Sequence, residues 1–308
     1  MAATISICIP CYKSERYIRT TIESALAQTV PADEILISDD NSPDRSYEII
    51  SEYREIPGIR IIRPSHRISI GEHYRFLLEH AKTDYVSFLS SDDALMPSFV
   101  KAMREELEDN IGLIAAASLE CNEKLIPKRA RGMALPKRIF YPPEGYKYFT
   151  QGNVYIISTA LFSREILLQA PVLPREGDLA TDWYWAMMAG LKGKVKFVRK
   201  PLGYYRVHGS NAGHGNEDKW RKATAAMLNF LSTHLDADLS QNLCGKSKAI
   251  QKASMDIAPN PFPSSVKLRI KDSAKRLVSL RYRLLPKVIS KAEQGIGVAL
   301  ERTRYSGS

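Results

Sequence analysis

Between Ile5 and Asp93 the chain repeats one unit: a short apolar, β-branched run, a polar turn, then a segment with apolar residues at helical spacing. The runs are ISICIP (5–10), EILIS (34–38), IRII (59–62) and YVSFL (85–89). Runs this short, with little polar alternation, read as strands buried on both faces. The segments between them carry Ile18, Ile22, Ala25 and Leu26, then Tyr47, Ile49 and Ile50, then Tyr74, Leu77, Leu78 and Ala81. Each set falls on one helical face. Ser14 is placed to cap the first helix. Strands alternating with helices make right-handed crossovers. They predict an α/β architecture with a mainly parallel, Rossmann-like sheet flanked by helices.

In such a sheet ligands sit beyond the carboxyl ends of the strands. Three of these ends are polar: PCYK after the first strand, DDNSPD after the second and SSDD after the fourth. They are expected to converge on one crevice. The last is the most demanding, because Asp92 and Asp93 arrive side by side at the end of an apolar run. Two ionised neighbours repel, and each resists leaving water. A hard cation such as Mg²⁺ or Mn²⁺, held between carboxylate and phosphate oxygens, removes that penalty. A solvated turn ahead of a helix starting at Pro97 is the other reading, and the tripeptide SDD (91–93) alone leaves both open.

Further strands are predicted at 112–117 and 154–162. The basic, proline-punctuated stretch between them reads as a long surface loop with a short helical piece near 143–150. A helix follows at about 180–191, then a strand at 194–199. A glycine-rich stretch holds YYRVHGSNAGHGN (204–216), with Gly203, Gly209, Gly213 and Gly215 suited either to a closing loop or to a plain connector. A last helix spans 217–234. Arg67 and Arg75 could reach a phosphate, Arg75 reading better as a solvated helix charge; His66, His73 and His80 lack metal-ligand spacing.

Three ordered blocks covering most of residues 4–211 resemble the inverting glycosyltransferases of family two, which have the GT-A fold. The first, ISICIPCYKSERYIRTTIESALAQTVPADEILISDDNSPDRS, resembles that family's nucleotide-binding unit. The second, AKTDYVSFLSSDDALMPSFV, resembles its metal-site segment. The third, TDWYWAMMAGLKGKVKFVRKPLGYYRVHGSN, resembles its catalytic-base helix and the Y-R-x-H segment that follows.

The resemblance implies a GT-A domain over residues 1–235, with a nucleotide-binding half (1–117) and an acceptor-binding half (118–235). It also implies residue roles. Pro10 and Tyr12 line the donor base, with the tyrosine ring able to stack on it. Asp39 accepts a hydrogen bond from a pyrimidine ring N–H, which suits UDP- or dTDP-sugars. Asp40 serves the ribose or caps the turn, and Ser91 joins the donor contacts. Asp92 is the principal ligand of Mn²⁺ or Mg²⁺, with Asp93 in support. Asp182 is the general base, although an aspartate at a helix start can equally be a cap. Arg206 is a candidate for the diphosphate and His208 for the metal. The chain departs from the family pattern at Ser90, where an aspartate is usual, at Thr181, where glutamate is frequent, and at Cys11, where threonine is usual.

Charge divides the chain. Of 44 Lys and Arg and 34 Asp and Glu, 14 and 4 lie from Lys246 onward, so this tail carries the whole net charge of +10 and the rest is neutral. After the linker APNPFPSS (258–265), Lys and Arg alternate with Leu, Val and Ile. Residues 236–308 are therefore predicted to be a basic helical C-terminal extension. It suits an anionic membrane surface, or else a solvated face or a dimer contact. Few aromatics and no known module argue against nucleic acid as a partner.

Cys8 and Cys11 have C-x-x-C spacing, but no second pair or spaced histidines complete a zinc site. They read as half-buried thiols in a reducing compartment. The N-terminus lacks the features of a signal peptide, and no apolar run approaches ~20 residues. The expected place is the cytoplasm, at times peripheral on the inner face of the cell membrane. The expected function is transfer of one sugar from a nucleotide-diphosphate donor to a glycan or lipid-linked saccharide in surface polysaccharide assembly. A non-catalytic nucleotide-sugar-binding or membrane-docking descendant of the same fold is the alternative. A nucleotidyltransferase would need a glycine-rich triphosphate loop, and IPCYKSERY is not one.

Overall fold

A computed structural model describes residues 2–132, 138–209, 211 and 217–235. In chain order its elements are β1 (Ile5–Cys11), α1 (Ile18–Leu26), β2 (Glu34–Asp39), α2 (Ser46–Ser51), β3 (Ile59–Ile62), α3 (Ile70–His80), β4 (Tyr85–Phe88), β5 (Ala94–Leu95), α4 (Phe99–Glu106), β6 (Ile111–Cys121), β7 (Pro127–Arg131), β8 (Ile139–Phe140), α5 (Glu144–Phe149), β9 (Ala160–Ser163), α6 (Arg164–Gln169), α7 (Thr181–Lys192), β10 (Lys194–Arg206) and α8 (Glu217–His234). Short 3₁₀ turns, Ile157–Thr159 and Arg175–Ala180, lead into β9 and α7.

Among the described residues the strands form one mixed sheet, ordered β3-β2-β1-β4-β9-β6-β10-β5, with β7 paired to β6 and β8 to β10. The first four strands are mutually parallel. β9 runs antiparallel to both β4 and β6, joining the parallel half to the rest.

The continuous apolar character of the strands has a direct reading in the packing. Ile5, Ile7 and Ile9 of β1 and Ile35 and Ile37 of β2 face one core, with Ile18 and Ile22 of α1, Ile50 of α2 and Phe99 of α4. Cys8 and Leu36 face the opposite core, with Leu77 and Leu78 of α3 and Trp185 and Met187 of α7. Each fully buried aliphatic or aromatic side chain contributes about 1.5–3 kcal/mol, so both faces of the sheet must be covered.

Several local expectations change. Ser14 does not cap α1: its carbonyl accepts from Tyr17 and Ile18, while its hydroxyl turns to Ser91. A reciprocal cap forms instead at α3, where the Ser69 and Glu72 side chains accept from each other's backbone N–H. Cys8 and Cys11 are fully buried free thiols, not half-buried ones; burial pushes the Cys11 thiol up to about 12.

The stretch after Cys121 holds the short helix expected near 143–150, as α5, but it also carries two strands, β7 and β8, where a loop was expected. β10 continues through the Lys-Pro-Leu-Gly stretch, where the strand reading stopped at 199. Pro201 lacks an N–H for the ladder, and the register slips on either side of it. At Gly203 a Cβ would stand 2.6 Å from Thr159 Cγ2, so only glycine lets β5 and the 157–159 turn approach this closely. The slipped strand then delivers Tyr204, Tyr205 and Arg206 to the carboxyl end of the sheet. The proposed C-terminal extension, Cys244, Gly213 and Gly215 lie outside the described residues.

Candidate active site

The strand order turns at β1, with β2 and β3 on one side and β4 on the other. A crevice beyond the carboxyl ends of strands at such a point is where open α/β sheets bind ligands. The three polar turns meet there. Lys13 N donates to Ser42 Oγ at 3.1 Å, and Ser14 N to Ser46 Oγ at 2.8 Å. The hydroxyls of Ser14 and Ser91 are 2.6 Å apart. From α1, Thr21 Oγ1 reaches the carbonyls of Ser91 and Asp93 at 2.9 and 2.7 Å. Lys13 and Asn41, at two of the turns, hold left-handed φ values of 53° and 52°, conformations that cost non-glycine residues energy and gather at functional sites.

At the end of β2, Asp39 is fully buried. Its Oδ2 accepts from Ser42 N at 3.1 Å and pairs with Arg63 at 3.0 Å. Its Oδ1 is buried with no donor, an arrangement that costs about 1–3 kcal/mol unless a ligand donor fills it. Asp40 does different work: its Oδ1 accepts from Ile68 N at 2.9 Å, fixing the turn after β3, and burial raises its pKa. Pro10 and Tyr12 lie partly exposed at the end of β1. The Tyr12 ring carries the Arg67 guanidinium 4.2 Å from its centroid, although Arg67 as a whole stays exposed.

At the end of β4 the two neighbouring aspartates also separate in role. Asp93 is 1% exposed and both its oxygens are taken. Ser158 Oγ donates to Oδ2 at 2.5 Å and Arg206 N to Oδ1 at 2.8 Å. Burial first, and then the Asp92 charge, raise its pKa. Asp92 is more open, its side chain 23% exposed. Its Oδ2 lies 2.9 Å from His208 Nε2 and accepts from Asn211 Nδ2 at 3.0 Å. Arg206 is buried; its Nε donates to the Asp92 carbonyl at 2.5 Å, another nitrogen donates to the Glu123 carbonyl, and its guanidinium lies 4.7 Å from the Tyr17 centroid. Its Nη2 has no partner. Ser91 sits between Ser14 and Thr21 in the wall of the same turn.

Among the described residues no group of three or more His, Cys, Asp or Glu side chains could enclose a metal. The fit of a divalent ion therefore rests on two donors. Neighbouring ligands of an octahedral ion with bonds of about 2.1 Å stand about 3 Å apart. The 2.9 Å between Asp92 Oδ2 and His208 Nε2 matches that spacing, and the remaining positions would fall to phosphate and water. Asp93, with both oxygens engaged, fits a bracing role and not a ligand's.

Asp182 lies in the first turn of α7. Asp182 Oδ1 accepts from Trp183 N at 2.7 Å and Oδ2 from Asn153 Nδ2 at 2.8 Å. Tyr155 Oη donates to the Asp182 carbonyl at 2.6 Å. The helix start is anchored by Trp183 Nε1 donating to the Phe149 carbonyl at 2.7 Å, and the far end of α7 packs close on α5 at Gly190, where a Cβ would come within 2.6 Å of the α5 backbone. Burial among these rings raises the Asp182 carboxyl from 3.8 to about 6, against the lowering effect of its hydrogen bonds. Tyr74, bonded to Ser90, links the two acidic groups. Burial raises its hydroxyl, and the negative charges of Asp182, Asp92 and Asp93 raise it further. Thus Asp182 and the aspartates after β4 act electrostatically on one shared hydroxyl.

Sequence reasoning did not single out Arg63, Tyr17, Tyr74, Asn153, Tyr155, Ser158 or Asn211. Asn211 stood in the quoted YYRVHGSN without a role, and Ser158 lay inside a segment read as continuous strand. Arg75 proves to be a bridge, pairing with Glu79 and donating to the carbonyls of Leu167 and Leu168.

The glycosyl transferase family 2 model matches residues 6–169. The chain is 28% identical over 214 residues to EpsH of Bacillus subtilis (strain 168), named as a putative glycosyltransferase; that alignment covers 66% of this chain and 61% of EpsH. It is 25% identical over 224 residues to TuaG of the same organism, named for teichuronic acid biosynthesis, covering 71% of this chain and 84% of TuaG. Among solved structures, residues 1–349 of TarS from S. aureus in complex with UDP-GlcNAc superpose with a TM-score of 0.64 at 18% identity, over 88% of this chain and 78% of that one. The shared architecture is the GT-A fold. The chain spans about three fifths of the length of EpsH.

Proposed function

The chain belongs to glycosyl transferase family 2, and we propose that it is an inverting glycosyltransferase moving one sugar from a nucleotide-diphosphate donor to a glycan or lipid-linked saccharide in surface polysaccharide assembly. The observation that carries this reading is Asp182: a carboxyl raised to about 6 by burial, oriented by Asn153 and Trp183 N, and sharing Tyr74 with the acidic turn after β4. A base with a pKa near the working pH is both ionised and basic enough to take a proton.

Residue by residue, the donor base lies at Pro10 and Tyr12, and its ring N–H fills the orphaned Asp39 Oδ1. A ring N–H flanked by carbonyls occurs in uracil and thymine, so UDP- and dTDP-sugars are favoured. To make room, the base displaces or stacks upon Arg67. Asp92 and His208 would hold Mn²⁺ or Mg²⁺ beside the donor's diphosphate. When bound, the ion neutralises charge developing on the departing diphosphate. Asp93, Ser158 and Arg206 keep the Asp92 turn in place. Asp182 takes the acceptor hydroxyl's proton as that oxygen attacks the anomeric carbon from the side away from the diphosphate. The C–O bond to the acceptor forms as the C–O bond to the diphosphate breaks, and the configuration inverts.

Domain limits of 1–235 and 236–308 remain part of this reading, with the basic extension on an anionic membrane surface and the enzyme at the cytoplasmic face. Among the described residues no helix is long and apolar enough to cross a membrane. The test is release of UDP or dTDP from a panel of nucleotide sugars by the purified chain, with Mn²⁺ and with EDTA. Mn²⁺-dependent release from one pyrimidine donor is the expected result. Saturable donor binding with no turnover for any donor and acceptor would favour the non-catalytic alternative, for which the uncharged Ser90 is the specific motive.

A further inference from the structure

The partnerless Oδ1 of Asp39 can read a base's ring N–H only while the carboxyl remains an acceptor. Parallel β2 and β3 pair Ser38 with Ile62, so the next residues, Asp39 and Arg63, leave the sheet side by side. Arg63 Nη2 lies 3.0 Å from Asp39 Oδ2; 35% of the arginine side chain is exposed and none of the aspartate's. The guanidinium also rests on the Tyr47 ring, 4.0 Å from its centroid. Among the described residues Arg63 is the one cation paired with Asp39. The other partner of Oδ2, Ser42 N, brings no charge. The neighbouring Asp40 has no ion pair among the described residues, and burial raises its carboxyl against the pull of Ile68 N and of the Arg67 charge.

We infer that Arg63 is a positioning residue for base selection: its charge, set against Oδ2, keeps Asp39 Oδ1 a pure acceptor, which admits uracil or thymine and turns away cytosine. This rests on the reading of Asp39 as the group that meets the base's ring N–H, and adds what fixes its polarity. An ionised carboxylate only accepts, and a buried one persists where a cation faces it. Uracil offers N3–H to such an oxygen. Cytosine offers a bare N3 lone pair, which the carboxylate repels. Deprived of its cation, a buried carboxyl takes up a proton and can then donate to cytosine N3. Arg63 thus sets which pyrimidine is read by acting through Asp39, with no contact of its own to the base.

The experiment measures the affinities of the full-length protein for UDP and for CDP by isothermal titration. The two ligands share ribose and diphosphate, so the ratio of their affinities reads the base alone. Wild type should favour UDP by about tenfold or more, and Arg63→Lys, which restores the charge, should keep that preference. Arg63→Met should weaken UDP, strengthen CDP and shrink the ratio by about tenfold. Asp39→Asn, whose amide can turn a donor toward cytosine N3, should shift the ratio the same way, and adding Arg63→Met to it should shift it no further. If Arg63→Met does not fold, Arg63→Gln replaces it. A wild-type ratio in Arg63→Met or Arg63→Gln, with both ligands weakened alike or not at all, overturns the inference alone. So does a further shift in the double variant, which would mean that Arg63 meets the base itself. A wild type without preference for UDP, or an Asp39→Asn protein with the wild-type ratio, overturns the reading of Asp39 and the inference with it.

Discussion

The turns after β2 and β4 each carry two adjacent aspartates, and the structure divides both pairs in the same order. After β2 the first aspartate, Asp39, keeps an oxygen without a partner, while the second, Asp40, is spent on the Ile68 backbone. After β4 the first, Asp92, is the more open, while the second, Asp93, is fully engaged by Ser158 and the Arg206 backbone. In each turn one carboxylate braces and the other is left for a ligand. Consecutive residues at a strand end point to opposite sides, so adjacency in sequence becomes a division of labour in space.

That division is open to attack by substitution. The largest effect belongs to Asp92→Asn, expected to lower transfer by about 100- to 1,000-fold, since a charge that holds the ion is lost. Its melting temperature should stay within about 2 °C of wild type, because the residue is partly exposed and the amide still bonds. Asp93→Ala should behave in the opposite way. It strands a buried hydroxyl and a buried backbone N–H, costs about 2–4 kcal/mol and lowers the melting temperature by about 5–10 °C in calorimetry. Equal melting temperatures for the two variants would end the comparison.

A smaller effect is expected at the other turn. Asp39→Ala should weaken UDP binding about tenfold in isothermal titration and level the preference for UDP over GDP. Asp40→Ala should spare that preference. If Asp40→Ala also levels it, the roles in the β2 turn are wrongly divided.

Acid should sharpen the picture further. Asp182 has a folded pKa raised from 3.8 to about 6. The folded state therefore holds this proton more tightly, and stability falls as pH rises from about 4 to about 6. His73, buried against Ser38 Oγ at 2.8 Å, is lowered from 6.5 to about 4. Its folded state refuses the proton, so stability falls as pH drops from about 6.5 to about 4. Asp182→Asn should then be the more stable protein at pH 7.5 by about 1–2 kcal/mol, after allowance for partial exposure. That gain should vanish by pH 4 in urea denaturation. A variant less stable than wild type at pH 7.5 would contradict the burial argument.

How much of this was legible depended on distance along the chain. The four parallel strands and their helices were readable because each is set by local periodicity and by buried isoleucines and leucines. The convergence of Lys13, Asp39 and Ser91 followed from the rule about strand ends. The bracing partners were not readable. Ser158 reaches Asp93 across 65 residues and Arg63 reaches Asp39 across 24, with no spacing to announce either. Likewise the reading of β10 stopped at 199, two residues before Pro201, because a proline usually ends a strand and here only slips its register. Ser14 misled for a related reason: a serine ahead of a helix resembles a cap, but its hydroxyl had a better partner in Ser91, on the turn after β4.

The central claim is that Asp182 takes the acceptor proton in the crevice where the donor is held. Its most direct test is single-turnover sugar transfer by Asp182→Asn, with bound UDP-sugar measured in the same sample. The account predicts donor binding within about twofold of wild type and a transfer step slowed at least 100-fold. Transfer at the wild-type rate by a donor-saturated Asp182→Asn protein would contradict it.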